Sequence, residues 1–267
     1  MKSAKRNALT EPSLGVYVNG DAIEDKDLRG QHPLFYGLVR FPGGHQYHAY
    51  VKLLPPKQMY SEVLSALLGQ YLGLPVPYTS VVVARGSQVG VTTPRVICLA
   101  SVDTGAKPIA RIVRPDEVSH VLNTWSSKRV SVVFDELIAN ADRNLRNVLL
   151  GADGKLWLID HEEALGDSLT APHRVICNHL LNLLIQDVSE FEKRRSAQMI
   201  NDDALPLNGC DFAAHAETAL PGPCQVSVEH VREVVAFLKA RVHHIPNLIG
   251  GGMHLRQGTL GLAHDRA

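Results

Sequence analysis

The pattern of hydrophobic positions makes the first third of the chain rich in strands. Apolar runs at 34–41 and 45–54 flank Pro42-Gly43-Gly44, which predicts two strands joined as a hairpin. Two further runs, at 76–84 and 89–100, are bounded by turn residues and predict two more strands. This part of the chain is therefore expected to form a small sheet.

One helix interrupts these predicted strands. Seven apolar residues between Tyr60 and Leu72 recur at helical spacing, and Gly73 and Pro75 end the pattern. Glu62 falls nearly opposite the apolar stripe on a helical wheel. Its side chain is therefore expected in solvent unless the polar face of the helix borders a cleft.

Beyond about Ser101 the apolar positions follow a helical period. Stripes at 130–138, 176–184 and 231–242 predict three helices. Residues 201–226 are rich in Asn, Asp, Pro and Gly, which indicates irregular structure. The pattern as a whole predicts a β-rich part followed by a helical part.

Composition removes several classes of protein. The 27 basic residues equal the 27 acidic ones, and 45% of the chain is hydrophobic, which is typical neither of nucleic-acid binders nor of disordered chains. The four cysteines are widely spaced without a CxxC pair, which excludes a disulfide-rich secreted fold and a zinc ribbon. The chain shows no signal-peptide core and no apolar run near the roughly 18 residues of a membrane span. We therefore expect a cytoplasmic protein.

A polar loop and a hairpin in the middle of the chain carry the strongest chemical signal. Residues 140–147 directly follow a predicted helix and are mostly polar, which indicates a loop. Strand-like runs at 148–150 and 155–159 surround a Gly-Ala-Asp-Gly turn and predict an antiparallel hairpin. In the expected register Leu150 pairs with Lys155.

This hairpin places Asn147 and Asp160 side by side at its open end. Their oxygens are hard ligands of the kind that Mg²⁺ takes from a protein before it completes its octahedron with water and phosphate. Asp142, five residues before Asn147, is placed to accept a hydroxyl proton during phosphoryl transfer. Arg143 and Arg146 on the same loop either hold phosphate or pair with neighbouring acids.

Four segments of the chain resemble a known family. The sequences Asp-Arg-Asn-Leu-Arg-Asn at 142–147 and Leu-Ile-Asp-His-Glu at 158–162 resemble the catalytic and metal-binding segments of HipA-like kinases. These enzymes are protein-kinase-like phosphotransferases, with type II phosphatidylinositol kinases and aminoglycoside phosphotransferases as more distant relatives. Residues 50–53 and 61–77 resemble the nucleotide-binding strand of the family and the helix after it. The resemblance covers roughly residues 34–165.

The resemblance implies an α+β fold, namely the bilobal protein-kinase-like fold. Its small N-lobe, β-rich with one helix, would span 1–101 and bind nucleotide. Its mainly helical C-lobe would span 102–248 and carry the catalytic and metal-binding residues. Residues 249–267 would form a flexible tail.

The resemblance also implies ATP and Mg²⁺ as cofactors and a role for each candidate residue. Asp142 would be the catalytic base, and Asn147 and Asp160 the Mg²⁺ ligands. Lys52 would contact the phosphates of ATP, and Glu62 would pair with Lys52. The helical wheel alone leaves the position of Glu62 open.

The chain departs from the family pattern in three places. His161-Glu162 follows the second metal-binding aspartate, where many kinases have an aromatic residue or glycine. Asn144 stands where the family often has a histidine two residues after its catalytic aspartate. No GxGxxG motif precedes the strand of Lys52, and the nearest glycines are Gly30 and the Gly43-Gly44 turn. Backbone amides of the loop at 29–32 are therefore expected to bind the phosphates of ATP.

The expected function is transfer of the ATP γ-phosphate to a serine or threonine of a protein. One alternative is a small-molecule or lipid kinase on the same fold, and another is a pseudokinase that acts as a binding module. A deep acidic pocket shaped by residues 167–226 would favour a cationic small molecule, whereas an open groove would favour a protein. The family also suggests an antitoxin-like protein partner, and neither nucleic acid nor a membrane is expected to bind directly.

Overall fold

The strand-rich part of the chain forms a closed five-stranded barrel. The computed structural model describes residues 9, 11–25, 31–186, 188–219 and 226–255. Neighbouring strands run antiparallel, except that the first and fourth pair in parallel and so close the barrel. The barrel strands are Gly15–Ala22 (β1), Leu34–Arg40 (β2), Gln46–Lys52 (β3), Thr79–Arg85 (β4) and Arg95–Val102 (β5).

All four strands predicted for this region are present, but β1 was missed, and the small sheet closes into a barrel. The reason lies in the side chains of β1. Tyr17 points into the barrel, whereas Val16 and Val18 are exposed. Because its solvent-facing positions are apolar, β1 lacks the alternation that identifies a half-buried strand.

Strand β3 delivers Lys52 to the edge of the barrel. Ala49 and Val51 point inward and are fully buried, so Lys52 lies on the opposite face of the strand. Lys52 pairs with Leu34 of β2 on one side and with Leu99 of β5 on the other. These three side chains form one row on the outer face of the sheet.

Helix α1 spans Pro56–Tyr71 and packs beside the barrel as predicted. Proline occupies its first turn, and Gly73 follows its end at a φ of 72°. Residues 59–69 of the helix are all buried. Both faces of α1 are therefore covered, and Glu62 is only 5% exposed.

The remainder of the chain is mainly helical. The three helices predicted from the apolar stripes at 130–138, 176–184 and 231–242 are all present. No helix among the described residues is both long and apolar enough to cross a membrane. The helices are Ile109–Ile112 (α2), Pro115–Thr124 (α3), Lys128–Leu137 (α4), His179–Ile185 (α5), Glu190–Ala204 (α6), Phe212–Thr218 (α7) and Val228–Gly252 (α8).

The expectation of irregular structure at 201–226 was wrong for much of that segment. Helix α6 continues to Ala204, and α7 lies entirely within the segment. Both begin at side-chain caps, since Ser189 forms a capping box with Glu192 and Asp211 accepts hydrogen bonds at the start of α7. Capping signals therefore identify helices here that a polar composition conceals.

Helix α8 also passes the predicted start of the tail at 249. It ends at Gly252, and Ile249 and Met253 are fully buried. These two apolar residues continue the stripe of the helix at a spacing of four, so the Gly-Gly-Gly sequence at 250–252 does not break it. Residues 256–267 of the predicted tail lie outside the described residues.

The predicted hairpin in the middle of the chain is present with its register shifted by one residue. Its strands are Val148–Leu150 (β7) and Leu156–Leu158 (β8), with Lys107–Pro108 (β6) on the outer side of β7. Leu150 pairs with Leu156, not with Lys155. The cause is a three-residue loop in which Gly154 adopts a left-handed φ of 79°.

Three cysteines lie within the described residues and none of the three is in a disulfide. Cys98 is buried in the barrel, Cys210 is half-buried and Cys177 is exposed. Burial raises the pKa of the Cys98 thiol to about 12, so this side chain is a neutral packing residue at physiological pH. Cys224 lies outside the described residues.

A buried ion pair ties α8 to α4. Arg241 Nη2 lies 2.8 Å from Glu136 Oε1, and the two side chains are at most 1% exposed. Arg241 also donates hydrogen bonds to the backbone carbonyls of Glu136, Pro172 and Arg174. Burial raises the pKa of Glu136 to about 6, against the opposing effect of Arg241.

Replacing Arg241 with methionine should therefore destabilise the fold strongly. The Glu136 carboxylate would remain buried without its cation, and we expect a loss of about 3–5 kcal/mol in the free energy of unfolding. Because the native carboxyl then holds its proton above the pKa of the unfolded chain, the loss should be larger at pH 8 than at pH 5. Chemical denaturation at both pH values measures it.

Arg129→Met is the matched control, because Arg129 pairs with Asp203 in a partly exposed position on the same helix α4. We expect about 1 kcal/mol or less from this substitution. Equal losses from the two variants would contradict the buried role of Arg241.

Candidate active site

One cleft of about 320 Å³ brings together all five candidate residues. It lies where the outer edge of the barrel meets the β7–β8 hairpin and the loop before it. The candidates reach it from the end of β3, from α1, from the loop after α4 and from the end of β8. They are Lys52, Glu62, Asp142, Asn147 and Asp160.

Lys52 lies at the centre of a group of carboxylates. Its Nζ donates to Asp160 Oδ1 at 2.5 Å and to Glu162 Oε2 at 2.9 Å. Oxygens of Glu62, Asp160 and Glu162 all lie within 4.8 Å of one another. Burial alone would lower the pKa of Lys52, but the three carboxylates outweigh it and raise that pKa. Lys52 is therefore a fixed cation at physiological pH.

Glu162 is a further residue of the site, and the sequence did not identify it as a hydrogen-bond partner of Lys52. Burial raises its pKa to about 7, and the neighbouring ammonium opposes this shift. Its position two residues after Asp160 is the only signal in the sequence. The carboxyl adds to the negative charge around Lys52.

Glu62 holds the backbone next to Asp160. Its Oε1 accepts a hydrogen bond from the His161 N–H at 2.7 Å, and its Oε2 lies 3.3 Å from His161 Nδ1. The hydrogen bonds of Lys52 go to other carboxylates, so Glu62 acts on Lys52 through its charge and not through a direct contact. The polar face of α1 does border the cleft, which is why Glu62 is buried.

Asn147 and Asp160 emerge next to each other despite the shifted register. The Ile159 N–H donates to the Asn147 carbonyl at 3.1 Å, which extends the hairpin ladder by one step beyond the strands. The Asn147 Nδ2 donates to the Asp142 carbonyl at 2.9 Å. Because the NH₂ group is used in this way, the Oδ1 oxygen is the part of the amide that remains for a ligand.

Asp160 also has an unusual backbone conformation. Its φ is 64°, in the left-handed region that residues other than glycine seldom adopt. The hydrogen bond between His161 N–H and Glu62 holds the chain immediately after it. Strained residues of this kind cluster at functional sites.

Asp142 presents its carboxylate at the surface of the cleft. The residue is exposed, and its backbone N–H donates to Asn140 Oδ1 at 3.1 Å. Asn144 Nδ2 lies 3.4 Å from Asp142 Oδ1. Asparagine side chains therefore shape the loop and leave the carboxylate accessible to a substrate.

Arg143 proves to be a structural residue. Its Nη2 and Nε donate to the two carboxylate oxygens of Asp135 at 2.9 and 3.1 Å, and both side chains are fully buried. Its Nη1 donates to the carbonyls of Asn147 and Ile159 at 3.1 and 2.7 Å. Arg143 thus ties α4 to the backbone beneath both candidate metal ligands, a tertiary contact for which the sequence gives no signal.

Part of the cleft lining is apolar, and the lining also includes an aromatic residue that was not among the candidates. Tyr50 lies two residues before Lys52 and therefore on the same face of β3. Its ring centroid lies 5.1 Å from that of Tyr36. The apolar residues that line the cleft include Leu34, Val76, Leu99, Leu149 and Leu158.

The Gly43-Gly44 turn, one of the two glycine candidates for binding phosphate, connects β2 to β3. The Gly43-Gly44 turn lies at the end opposite Lys52, about 20 Å away at 3.3 Å per residue. These two glycines therefore do not reach the cleft. Gly30 belongs to residues 26–30, outside the described residues, while Gln31 lines the cleft.

Comparison with known proteins assigns the chain to a family. The HipA-like kinase family model matches residues 38–202, a segment that contains all five candidates. The chain belongs to the HipA-like kinase family. Family membership implies ATP as the phosphoryl donor and supports a kinase-type phosphotransferase.

The fold of this HipA-like kinase is also that of a solved kinase. The crystal structure of a Helicobacter pylori proinflammatory kinase, CtkA, matches with a TM-score of 0.53 at 15% sequence identity. The match covers 92% of this chain and 100% of that chain. At this identity the likeness shows a shared fold. No curated protein sequence matches the chain.

Proposed function

We propose that this HipA-like kinase transfers the γ-phosphate of ATP to a serine or threonine of a protein, with Mg²⁺ as its metal. The proposal rests on one observation. A single cleft holds the ammonium of Lys52, which is a fixed cation, together with several oxygen ligands. We take the barrel with α1, near 1–101, as the N-lobe of a bilobal kinase. The helical part, near 102–248, is then its C-lobe.

Asn147 and Asp160 supply the hard oxygens that Mg²⁺ prefers, so the donor set fits this metal. A bound Mg²⁺ would neutralise the charge on the phosphates that are transferred. The ammonium of Lys52 has three N–H donors, of which two are used by Asp160 and Glu162. The third donor is the one we assign to a phosphate oxygen of ATP.

Asp142 is the group we assign to the acceptor. Its carboxylate is exposed in the same cleft, where a hydroxyl can approach it. A carboxylate in this position orients the hydroxyl and accepts its proton. The hydrogen bond from Asn147 to the Asp142 carbonyl couples the base to the proposed metal ligand.

The surface beside the loop at 140–147, here named the catalytic loop because it carries Asp142, supports a protein acceptor over a cationic small molecule. A groove of about 870 Å³ adjoins the loop and is lined by Arg146 and His179, with no Asp or Glu among its described lining residues. A cationic substrate would meet no counter-charge there. An open, uncharged or basic groove suits an extended protein segment.

Replacing Lys52 with methionine tests the nucleotide site. Loss of one charge-assisted hydrogen bond, worth about 1.5–3 kcal/mol, should weaken ATP binding about ten- to a hundredfold. Titration calorimetry with ATP and Mg²⁺ measures the dissociation constant. Lys57→Met, an exposed lysine on α1, should leave the constant unchanged. Failure of the wild type to bind ATP would refute the proposal.

A further inference from the structure

Two cavities meet at the catalytic loop. Asn144 and Arg146 line both the ATP cleft and the adjoining groove of about 870 Å³. The far wall of the groove is formed by α5 and the residues after it, from His179 to Gln186. Leu145 and Leu183, both half-buried, supply apolar surface between these walls. The junction lies beside Asp142, which is four residues before Arg146.

Arg146 is an exposed cation at this junction and has no counter-ion among the residues that the structure describes. Its side chain forms no ion pair or hydrogen bond with any described residue, whereas Arg143 on the same loop is neutralised by Asp135. The backbone of Arg146 is fixed, because its N–H donates to Asn144 Oδ1 at 2.9 Å. A guanidinium on a fixed backbone and facing two cavities is ready to bind an anion.

The path of an acceptor constrains which anion can reach Arg146. A segment whose hydroxyl reaches Asp142 can continue into the groove, which adjoins the cleft at Asn144 and Arg146. In an extended segment successive residues advance by about 3.3 Å. Side chains within about three positions of the acceptor therefore pass Arg146.

We propose that the groove binds the acceptor protein as an extended segment, and that Arg146 binds an anionic side chain within three positions of the accepted serine or threonine. The anion is a carboxylate or a phosphate, since a guanidinium binds either in bidentate fashion. The inference rests on the proposed function, to which it adds the selection of the acceptor sequence.

Peptides with one serine test this selection. In separate peptides, each of the three positions before and after the serine carries aspartate, phosphothreonine, glutamine or lysine. The value of kcat/KM is then measured for every peptide with the full chain of the kinase. The wild type should favour an anion over glutamine at one or two positions by about ten- to a hundredfold, as expected for a charge-assisted hydrogen bond. The aspartate and phosphothreonine arms identify which anion is preferred.

Variants at Arg146 separate this role from others. Arg146→Gln should abolish the preference, so that kcat/KM on the anionic peptides falls to the value on the glutamine peptide, and Arg146→Glu should shift the preference to lysine. Arg95→Gln, an exposed arginine of β5, should change neither. An equal loss on all peptides in Arg146→Gln would assign Arg146 to ATP and overturn the inference.

The inference can fail while the proposed function stands. A wild type that binds ATP and phosphorylates peptides without regard to charge would overturn the inference alone, as would one that labels only itself and no peptide. A wild type that neither binds ATP nor transfers phosphate would overturn both.

Discussion

Replacing Asp142 with asparagine should slow phosphoryl transfer by about 10²- to 10⁴-fold, the usual contribution of a positioned general base. Asparagine keeps the shape of the side chain but cannot accept the proton of the acceptor hydroxyl. The Asn147 amide donates to the Asp142 carbonyl at 2.9 Å and lies 3.5 Å from the carboxylate, so the shorter bond remains and the loop should keep its conformation in the variant. ATP affinity should therefore stay close to that of the wild type.

Steady-state transfer to a protein or peptide acceptor, together with calorimetric ATP binding, separates the two quantities. Asp153→Asn offers the same chemical change in the exposed turn of the β7–β8 hairpin and should retain the wild-type rate. A normal rate in Asp142→Asn would remove Asp142 from the reaction. A normal rate constant with weakened ATP binding would place it in the nucleotide site.

Replacing Asp160 with asparagine should remove the effect of Mg²⁺ on ATP binding and reduce transfer by at least about 10²-fold, because a metal supplies several kcal/mol of charge stabilisation. The variant retains an oxygen that can accept from Lys52, so the fold should survive. Titration of ATP with and without Mg²⁺ measures the metal-dependent part of the affinity in each protein.

Glu162→Gln is the control for this experiment, since Glu162 also accepts a hydrogen bond from Lys52 but is not assigned to the metal. It should keep the full Mg²⁺ effect. Loss of the effect in Glu162→Gln instead would place the metal among the three carboxylates around Lys52. An unchanged Mg²⁺ effect in Asp160→Asn would show that Asp160 is not a ligand.

Sequence periodicity predicts those helices and strands in which the buried side chains lie on a single face. The stripe of α4 belongs to this class, whereas β2 and β3 were predicted from apolar runs joined by a Pro-Gly-Gly turn. Strand β1 lies outside this class, because Val16 and Val18 face solvent. Helix α7 has only seven residues, too few to show a clear stripe, and the Asp211 cap is a local signal that marks its start.

The pairing of Asn147 with Asp160 could be predicted even with an incorrect register. A hairpin brings both ends of its strands together, and a shift of one residue leaves the two ligands adjacent. The contacts that hold them could not be predicted. Arg143 and Asp135 are buried together only because α4 packs beneath the hairpin, and a buried ion pair has the same sequence signature as an exposed one.

The environment of Glu62 depended on tertiary structure in the same way. A helical wheel separates a buried face from a polar face, but it does not distinguish polar surface in solvent from polar surface in a cleft. In contrast, Tyr50 could have been found from the sequence. It shares its face of β3 with Lys52 because side chains two residues apart in a strand point the same way.

Transfer of labelled γ-phosphate from ATP decides whether this HipA-like kinase is an active enzyme. The full chain is incubated with labelled ATP, Mg²⁺ and a cell lysate, beside Asp142→Asn and Asp160→Asn, and the labelled amino acids are identified. We expect the wild type to label serine or threonine in itself or in a lysate protein, and both variants to lose this label. Absence of label with the wild type, although ATP raises its Tm, would make the protein a pseudokinase and contradict the proposed function.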